Sequence, residues 1–397
     1  MQNLPERYIL IIGAGSMATA ITYDLILHQP TYDIVVLDKD GGAVKKFLAH
    51  PGFNGKVHGI VGDGHDRDLM VELFKNAVAA VGSAGYYLNT DHTALAIETH
   101  THWVDLGGNN TVVEQQFAMS ERAKAAGVTV VPDCGLAPGM VSILAGDAVK
   151  RLDTVDELHF RVGGLPKNPE PPLNYGLCFS AEGLINEYVE PARLIEDGKV
   201  CEVPSLTGWE SVEVGKPFGD LEAFHTSGGS STMVETFTGK VKTLDYKTLR
   251  YPGHLSDIKL LQDIGLFDSE KLSFGEDQSV SPRQMMCAVL EKAGWVSEDL
   301  IVLVSWALGV RDGKRVKIEY RLLDYHDPVT GLSAMARTTG FSAAVVLNLI
   351  LDGQIEERGV IKQELSVPPD EYLQGLAKRG LKIEIAEWYT PDEDMEE

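Results

Sequence analysis

The 397-residue chain is too long for one ordinary hydrophobic core, so its length predicts two domains. Hydrophobic residues make up 44% of it and charged residues 23%, proportions that exclude disordered and fibrous proteins. The formal net charge of -23 argues against a phosphate-backbone ligand, and we therefore expect no nucleic-acid partner.

The N-terminus and the cysteines favour a cytoplasmic location. The opening stretch MQNLPERYIL lacks a basic flank before a long apolar segment, and no later apolar run approaches the ~20 residues of a membrane helix. We therefore expect neither export nor a membrane partner. The cysteines form no C-x-x-C pair and have no nearby His in zinc spacing, so we expect reduced thiols and no metal.

The first predicted elements are a strand, a glycine turn and a helix. Apolar residues 8–12 precede Gly13-x-Gly15-x-x-Ala18, after which apolar residues recur at helical spacing. Gly13 permits a tight turn, and Gly15 removes the side chain that would block a pyrophosphate. The helix start offers free N–H groups to phosphate oxygens. This order is typical of a dinucleotide-binding domain.

A second predicted strand ends at Asp38, about 20 residues beyond the glycine turn, where an acid accepts hydrogen bonds from an adenosine ribose. An acid there repels the 2′-phosphate of NADP, so we predict NAD as the cofactor, although the neighbouring Lys39 weakens the preference. Later strand ends add contacts that ordinary polar residues would also explain. The predicted cofactor-binding residues are Gly13, Ala14, Gly15, Ser16, Met17, Asp38, Lys39, Gly62, Asp63, Ser83, Ala84 and Tyr86.

Strands and helices continue to alternate as far as residue 135. A third strand precedes Gly62, a fourth lies in NAVAAVG, a fifth in THWVD and a sixth in GVTVV, with helical stretches between them. This alternation predicts an α/β fold, a Rossmann-type doubly wound parallel sheet over residues 1–135. The sixth strand is expected to be the last, and Asp133 follows it, with Pro138 opening the next helix.

The pattern changes after about residue 151. Turns at Asp197-Gly198 and Asp312-Gly313 join extended runs, which predicts hairpins and a mainly antiparallel sheet in an inserted α+β catalytic domain over residues 136–333. Residues 334–397 begin with a helical pattern that ends near Gly353 and are expected to return to the first domain.

Several polar residues of the second domain invite two interpretations. Ser180 and Glu182 follow a proline-rich loop, His225 precedes a hydroxyl-rich turn, and Arg250 stands beside a tyrosine. Taken singly, each suits a structural role: a helix cap, a first-turn acid, a loop residue and a salt-bridged strand residue. Asp133 likewise suits either a catalytic acid or a residue that caps a helix or bonds turn amides.

Taken together, these stretches resemble the saccharopine dehydrogenase family, and within it the lysine 6-dehydrogenases. The matching blocks span nearly the whole chain: WVDLGGNN, GVTVVPDCGLAPGM, VGGLPKNPEPPLNYGLCFSAEGLINEY, LEAFHTSGGSSTM and YKTLRYPGH. The resemblance implies a Rossmann domain completed by late helices, an inserted catalytic domain and a homodimer or higher oligomer. It also implies NAD-dependent oxidation of L-lysine at the ε-carbon to an aldehyde that cyclises, with release of ammonia. Cys134 departs from the small or aliphatic residue common in relatives.

The implied chemistry assigns roles to these residues. A lysine ammonium has a pKa of about 10.4, so a base must remove a proton before oxidation. The candidate bases are Asp133, Glu182 and His225. Arg250 is expected to bind the substrate carboxylate, since a guanidinium matches that group in two bonds. Tyr175, Ser180 and Thr226 complete the predicted substrate-binding residues.

Two alternatives remain open. One is a saccharopine or carboxynorspermidine dehydrogenase or reductase of the same family. The blocks offer few cations besides Arg161, Lys247 and Arg250, which favours a substrate with one carboxylate. The other is a non-catalytic NAD-binding sensor, which the fold alone does not exclude.

Overall fold

The structure, a computed structural model, describes residues 4–53, 55–215, 218–273, 275 and 279–389. The chain divides into two compact units. Among the described residues, unit 1 takes those from 4 to 147 together with 327–332 and 336–382, and unit 2 takes those from 148 to 326, 333–335 and 383–389. The predicted boundaries at 135 and 334 differ from this division.

The first part of the chain alternates strands and helices. Its elements are β1 (Tyr8–Ile12), α1 (Ser16–His28), β2 (Asp33–Asp38), α2 (Gly41–Leu48), β3 (Val57–Val61), α3 (Arg67–Asn76), β4 (Ala77–Gly82), α4 (Asn89–Glu98), β5 (His102–Asp105), α5 (Asn110–Phe117), α6 (Ser120–Ala126), β6 (Thr129–Val131) and α7 (Met140–Arg151). The six predicted strands are therefore present. Helix α7 begins two residues after Pro138, which was predicted to open it.

The middle of the chain is rich in strands. It contains β7 (Thr154–Pro166), α8 (Ala181–Val189), β8 (Ala192–Glu196), β9 (Lys199–Val203), β10 (Glu210–Gly215), β11 (Gly219–His225), α9 (Met233–Phe237), β12 (Thr243–Arg250), α10 (His254–Asp263), β13 (Leu272–Ser273), β14 (Ser279–Val280), α11 (Pro282–Ala293), β15 (Asp299–Arg311) and β16 (Lys314–Tyr325). The last part contains α12 (Ala334–Leu351), β17 (Gly359–Val360), α13 (Gln363–Ser366), α14 (Pro369–Lys378) and β18 (Glu384–Tyr389).

The sheet of unit 1 is parallel, in the order β3-β2-β1-β4-β5-β6-β17. The order reverses between β1 and β4, which confirms the doubly wound Rossmann-type fold. Strand β6 was expected to be the last of this sheet, but β17 pairs with it and forms the edge. Two residues give too short an apolar run for periodicity to reveal β17.

Late helices pack on the first helix of unit 1. A Cβ on Gly340 of α12 would lie 2.9 Å from the Cβ of Ala20 in α1, so the two helices make close contact. Arg379, which follows α14, binds both carboxylate oxygens of Asp24 in α1, at 2.6 and 2.8 Å. The resemblance implies such completion of the Rossmann domain. Residues 384–389 do not return to the first domain as was predicted, because they form β18, which pairs with β16 in unit 2.

Helix α12 forms where the sequence predicts a helical pattern ending near Gly353, but it comes nearer to the length of a membrane helix than was expected of any apolar run. Its 18 residues have a mean hydropathy of 1.4, which by length and composition alone suffices to cross a membrane. Within the structure 72% of this stretch is buried, and it contacts α1. We therefore interpret α12 as a core helix.

The main sheet of unit 2 has the order β10-β11-β12-β7-β15-β16-β18, with β8 and β9 attached to β12. Both predicted hairpins form, β8 with β9 and β15 with β16. The sheet is mixed, because β12 and β7 run parallel. Phe224 of β11 belongs to an apolar core that α8, α10 and α11 contribute to, whereas Ala223 belongs to a second core with Leu249 and residues of β15. Alternate residues of β11 and β12 therefore face different environments.

Candidate active site

The turn after β1 leaves backbone N–H groups open at the start of α1. Gly13 has φ +106°, and a Cβ there would lie 2.9 Å from the carbonyl oxygen of Ser83, so a side chain does not fit. Gly15 is exposed and precedes α1 without supplying a side-chain cap. The first turn of α1, which begins with Ser16 and Met17, can therefore donate N–H groups to phosphate oxygens.

Asp38 ends β2 beside this turn. Its Oδ2 accepts a hydrogen bond from the N–H of Ala14 at 2.8 Å, and its Oδ1 accepts one from the N–H of Asp40 at 2.9 Å. These bonds orient the carboxylate, and each oxygen retains a lone pair for a ligand hydroxyl. Lys39 is exposed next to it. The structure brings the predicted glycine turn and the predicted acid together.

The other predicted cofactor contacts follow β3 and β4 at the same sheet edge: Gly62, Asp63, Ser83, Ala84 and Tyr86. Asp63 is exposed, and its hydrogen bond from the N–H of His65 at 3.0 Å lowers the pKa of its carboxyl. Ser83 donates its Oγ–H to the carbonyl of Ile12 at 2.9 Å, which joins β1 and β4 where the strand order reverses. Sheets of this order bind ligands in that crevice, and these residues fit a dinucleotide cofactor.

Asp133 lies just beyond β6, at the same edge of the parallel sheet. It is buried and has φ 57°, a left-handed conformation. Its carbonyl accepts a hydrogen bond from Nε2 of Gln363 at 2.8 Å, and a Cβ on Gly107 would collide with its carboxylate. Helix α7 begins only at Met140, so Asp133 does not cap that helix.

Asp105, the last residue of β5, orders this edge and was not predicted. Its buried Oδ2 accepts hydrogen bonds from Nε1 of Trp103 at 2.8 Å and Nε2 of Gln116 at 2.6 Å. Its Oδ1 accepts from the N–H of Gly107 at 2.9 Å and that of Asp133 at 3.4 Å. Burial raises the pKa of the Asp105 carboxyl, and these hydrogen bonds oppose the shift. Asp105 thus fixes the backbone that carries Asp133.

Arg250, at the end of β12, lies in a buried polar cluster of unit 2. The ring of Tyr175 covers its guanidinium, with 4.7 Å between Cζ and the ring centroid. Its Nε–H donates to the hydroxyl of Tyr188 at 3.3 Å, and Nη1 donates to the carbonyl of Leu249 at 3.0 Å. The Tyr188 hydroxyl also bonds to Nε2 of His254 at 3.0 Å. Burial lowers the pKa of His254 to about 3, so this ring is neutral.

The cluster has unused hydrogen-bonding capacity. A guanidinium carries five N–H groups, and Nη2 of Arg250 donates no hydrogen bond within the described ranges. The nearest carboxylate oxygen is Oε2 of Glu187, 3.9 Å from Nη2. Burial raises the pKa of Glu187 to about 7, although the positive charge of Arg250 acts to lower it. The buried hydroxyl of Tyr175 also lacks a hydrogen-bond partner in the described part of the chain. Such a cluster can accept a polar ligand.

His225 lies on a different face of the sheet from Arg250. It pairs in register with Lys247, which alternates with Thr248 and Arg250 along β12. Lys247 and Arg161 are themselves engaged, because both bind Glu210 and Arg161 binds both oxygens of Asp245. Burial lowers the pKa of His225. The structure therefore does not bring His225 and Arg250 together.

Ser180 and Glu182 occupy the start of α8. Ser180 is the N-cap and accepts the N–H of Gly183 at 3.1 Å. The Glu182 side chain is 56% exposed and forms an ion pair with Arg283 at 2.7 Å. These contacts are the structural ones that the sequence also allowed. Thr226 bonds through its hydroxyl to that of Thr248, at 2.7 Å.

The described residues provide free cysteines and no cluster that could bind a metal ion. Across the described ranges, no group of three or more His, Cys, Asp or Glu side chains is placed to hold a metal ion. All four cysteines are free. Cys134 is buried, and burial raises the pKa of its thiol well above the usual range, so it is held as a neutral thiol.

Comparison with known proteins identifies relatives over the whole chain. The family model for the saccharopine dehydrogenase NADP binding domain matches residues 9–131, and that for the saccharopine dehydrogenase C-terminal domain matches residues 135–381. The chain is 25% identical to saccharopine dehydrogenase [NADP(+), L-glutamate-forming] of Pyricularia oryzae over 95% of this chain and 98% of that one. It is 25% identical to carboxynorspermidine synthase of Vibrio cholerae over 71% and 69% of the two chains.

A solved structure shows the same fold. Apo saccharopine dehydrogenase (L-Glu forming) from Saccharomyces cerevisiae matches with a TM-score of 0.77 and 18% identity, over 97% of this chain and 100% of that one. With both family models matched along the chain, the protein belongs to the saccharopine dehydrogenase family.

Proposed function

We propose that this protein is an NAD-dependent dehydrogenase that deaminates L-lysine at its ε-carbon. The observation that carries the proposal is the state of three cations. Arg161 and Lys247 are committed to Glu210 and Asp245, whereas Arg250 keeps N–H groups without acceptors in the described residues. One available guanidinium suits a substrate with one carboxylate, as in lysine, better than saccharopine with several.

The reaction places distinct demands on the chain. The cofactor, when bound, supplies the acceptor for the hydride that leaves the ε-carbon as the carbon–nitrogen double bond forms. The ε-ammonium must first give up a proton, and we propose Asp133 as the base, since Glu182 is exposed and ion-paired with Arg283. Water then adds to the imine carbon and ammonia leaves, which gives the aldehyde. Arg250 holds the far end of the substrate through its carboxylate.

We further propose that NAD is preferred over NADP. Asp38 ends β2 with both oxygens oriented by backbone N–H groups, so its negative charge is fixed beside the glycine turn. A carboxylate there accepts hydrogen bonds from ribose hydroxyls and repels a 2′-phosphate. Lys39 is exposed beside it.

The test is a substrate panel with paired readouts. Purified protein is given NAD or NADP with L-lysine, L-ornithine, saccharopine or carboxynorspermidine, and both reduced cofactor and ammonia are measured. We expect L-lysine with NAD to yield one ammonia per NADH. Oxidation of saccharopine or carboxynorspermidine without ammonia release would favour the other activities of the family. Absence of turnover with every amine would favour a non-catalytic sensor.

A further inference from the structure

Glu187 and Arg250 lie side by side in unit 2, and neither the sequence pattern nor the roles above account for the acid. We propose that the two residues together bind the zwitterionic end of an α-amino acid, the guanidinium binding the α-carboxylate and Glu187 the α-ammonium. This rests on the proposed role of Arg250 and adds a residue that selects α-amino acids over simple amines and ω-amino acids.

The spacing of the two groups suits such a ligand. Nη2 of Arg250 and Oε2 of Glu187 are 3.9 Å apart, too far for a hydrogen bond and close enough for both to contact substituents of one α-carbon. A structural ion pair in the same sheet differs: Arg161 binds Asp245 through two hydrogen bonds of 3.0 and 2.9 Å. The looseness of the first pair leaves donors and acceptors available to a ligand.

The side chain of Glu187 is also partly accessible to solvent, whereas that of Arg250 is buried. The side chain of Glu187 is 28% exposed and that of Arg250 is 3% exposed. The carboxylate of Glu187 accepts no hydrogen bond from the residues that the structure describes. A ligand that enters from the side of Glu187 would therefore meet an acid with free lone pairs, next to a guanidinium with free N–H groups.

Among the described groups around the Arg250–Glu187 pair, Glu187 is the acid that is available to bind an ammonium. Neighbouring elements contribute Tyr188 of α8, Tyr175 and Cys178 before α8, Tyr246 of β12, His254 of α10 and Glu222 of β11. Burial keeps the tyrosines, the thiol and the imidazole neutral. Glu222 is committed to the N–H groups of Gly253 and Leu255, at 3.3 and 2.6 Å.

The site should depend on pH with a definite sign. Burial raises the pKa of Glu187 to about 7, so the neutral acid prevails below that pH. An ammonium binds the ionised carboxylate. The affinity for a ligand with an α-ammonium should therefore rise as the pH increases through about 7. The affinity for a ligand that differs only in lacking the α-ammonium should not rise over the same range.

The experiment uses ligands that cannot react. L-norleucine has the α-amino-acid end and no ε-amine, and hexanoate lacks both amines. Binding of each to the full-length protein saturated with NADH is measured by calorimetry from about pH 6 to about pH 8.5. We expect L-norleucine to bind about 10- to 100-fold more tightly than hexanoate above the Glu187 pKa, as for a charge-assisted hydrogen bond.

Two matched variants complete the test. Glu187→Gln should bring norleucine within about threefold of hexanoate and remove the pH dependence. Glu210→Gln, an acid of similar exposure bound to Arg161 and Lys247, should leave the preference intact. A preference that survives Glu187→Gln, or is absent from the wild type, overturns the proposal. Failure of the proposed function is separate, because lysine oxidation can be absent while the norleucine preference persists, and the reverse.

Discussion

Replacing each of two buried arginines of one sheet by lysine should separate substrate binding from stability. Arg250 and Arg161 lie on the paired strands β12 and β7, and their side chains are 3% and 2% exposed. Both stack on an aromatic ring, Tyr175 at 4.7 Å and Trp306 at 5.1 Å. They differ in their hydrogen bonds, because carboxylates satisfy Arg161 and not Arg250.

The size of the effect follows from counting donors. An ammonium has three N–H groups at one atom, and Arg250 already serves the Tyr188 hydroxyl and the Leu249 carbonyl. Arg250→Lys would therefore keep at most one donor for the substrate and lose at least one charge-assisted hydrogen bond, worth about 1.5 to 3 kcal/mol. That corresponds to a fall in kcat/KM for lysine of about 10- to 150-fold. Arg250→Ala, which removes the partner, should cost about 2 to 5 kcal/mol, or roughly 30- to 4,000-fold.

Arg161→Lys is the matched control. It breaks the two-bond contact with Asp245, so we expect a stability loss of about 1 to 3 kcal/mol and a Tm lowered by about 2 to 12 °C. Its kcat/KM for lysine should stay within about threefold of wild type. Steady-state kinetics with lysine, NAD titrations and thermal melting distinguish the two variants. If Arg250→Lys left kcat/KM unchanged, or if both variants lost activity equally, Arg250 would not be the carboxylate ligand.

Three further substitutions test the cofactor edge. Asp38→Ser should reduce the preference for NAD, measured as the ratio of kcat/KM values with NAD and NADP, and equal wild-type efficiency with both would contradict the role of Asp38. Asp105→Asn keeps the shape of the side chain but turns an amide NH2 toward two of the N–H groups that donate to Asp105. The free energy of unfolding, measured in urea, should therefore fall by about 2 to 4 kcal/mol, and unchanged stability would refute that account. Asp133→Asn should bind NAD normally and lose most of kcat, and wild-type turnover would exclude Asp133 as the base.

The cofactor edge was predictable because its parts are close in sequence. A strand, two glycines, a helix and an acid lie between residues 8 and 38, and the N–H of Ala14 bonds directly to Asp38. Local patterns determine such a motif. Strand β17 shows the limit: it has two residues and pairs with β6 across more than 200 residues of chain, so no local signal marks it.

The substrate cluster was only half predictable for a geometric reason. Arg250 and Tyr175 were named and lie in contact, whereas His225, named as a candidate base, lies on another face of the sheet from Arg250. The register of β11 against β12, unknown from sequence, decides which side chains share a face. In α8 the resemblance drew attention to Glu182, which faces Arg283 in the structure. Glu187 follows buried Leu184 by one helical turn, and that spacing was the available signal.

Asp133 is the residue for which the structure changes the balance of interpretations most. The sequence allowed it to cap the following helix, but α7 starts seven positions later, at Met140. Its φ of 57° lies in the left-handed region, which Gly139 of the same loop and Gly107 of the loop after β5 also adopt. In that conformation the Asp133 carboxylate lies against Gly107, and its N–H points to the carboxylate of Asp105. Asp133 is thus a buried acid at the carboxyl edge of the parallel sheet, where sheets of this order bind their ligands, and it remains the candidate base. Asn adopts the same conformation readily, so Asp133→Asn tests the carboxylate while the backbone is preserved.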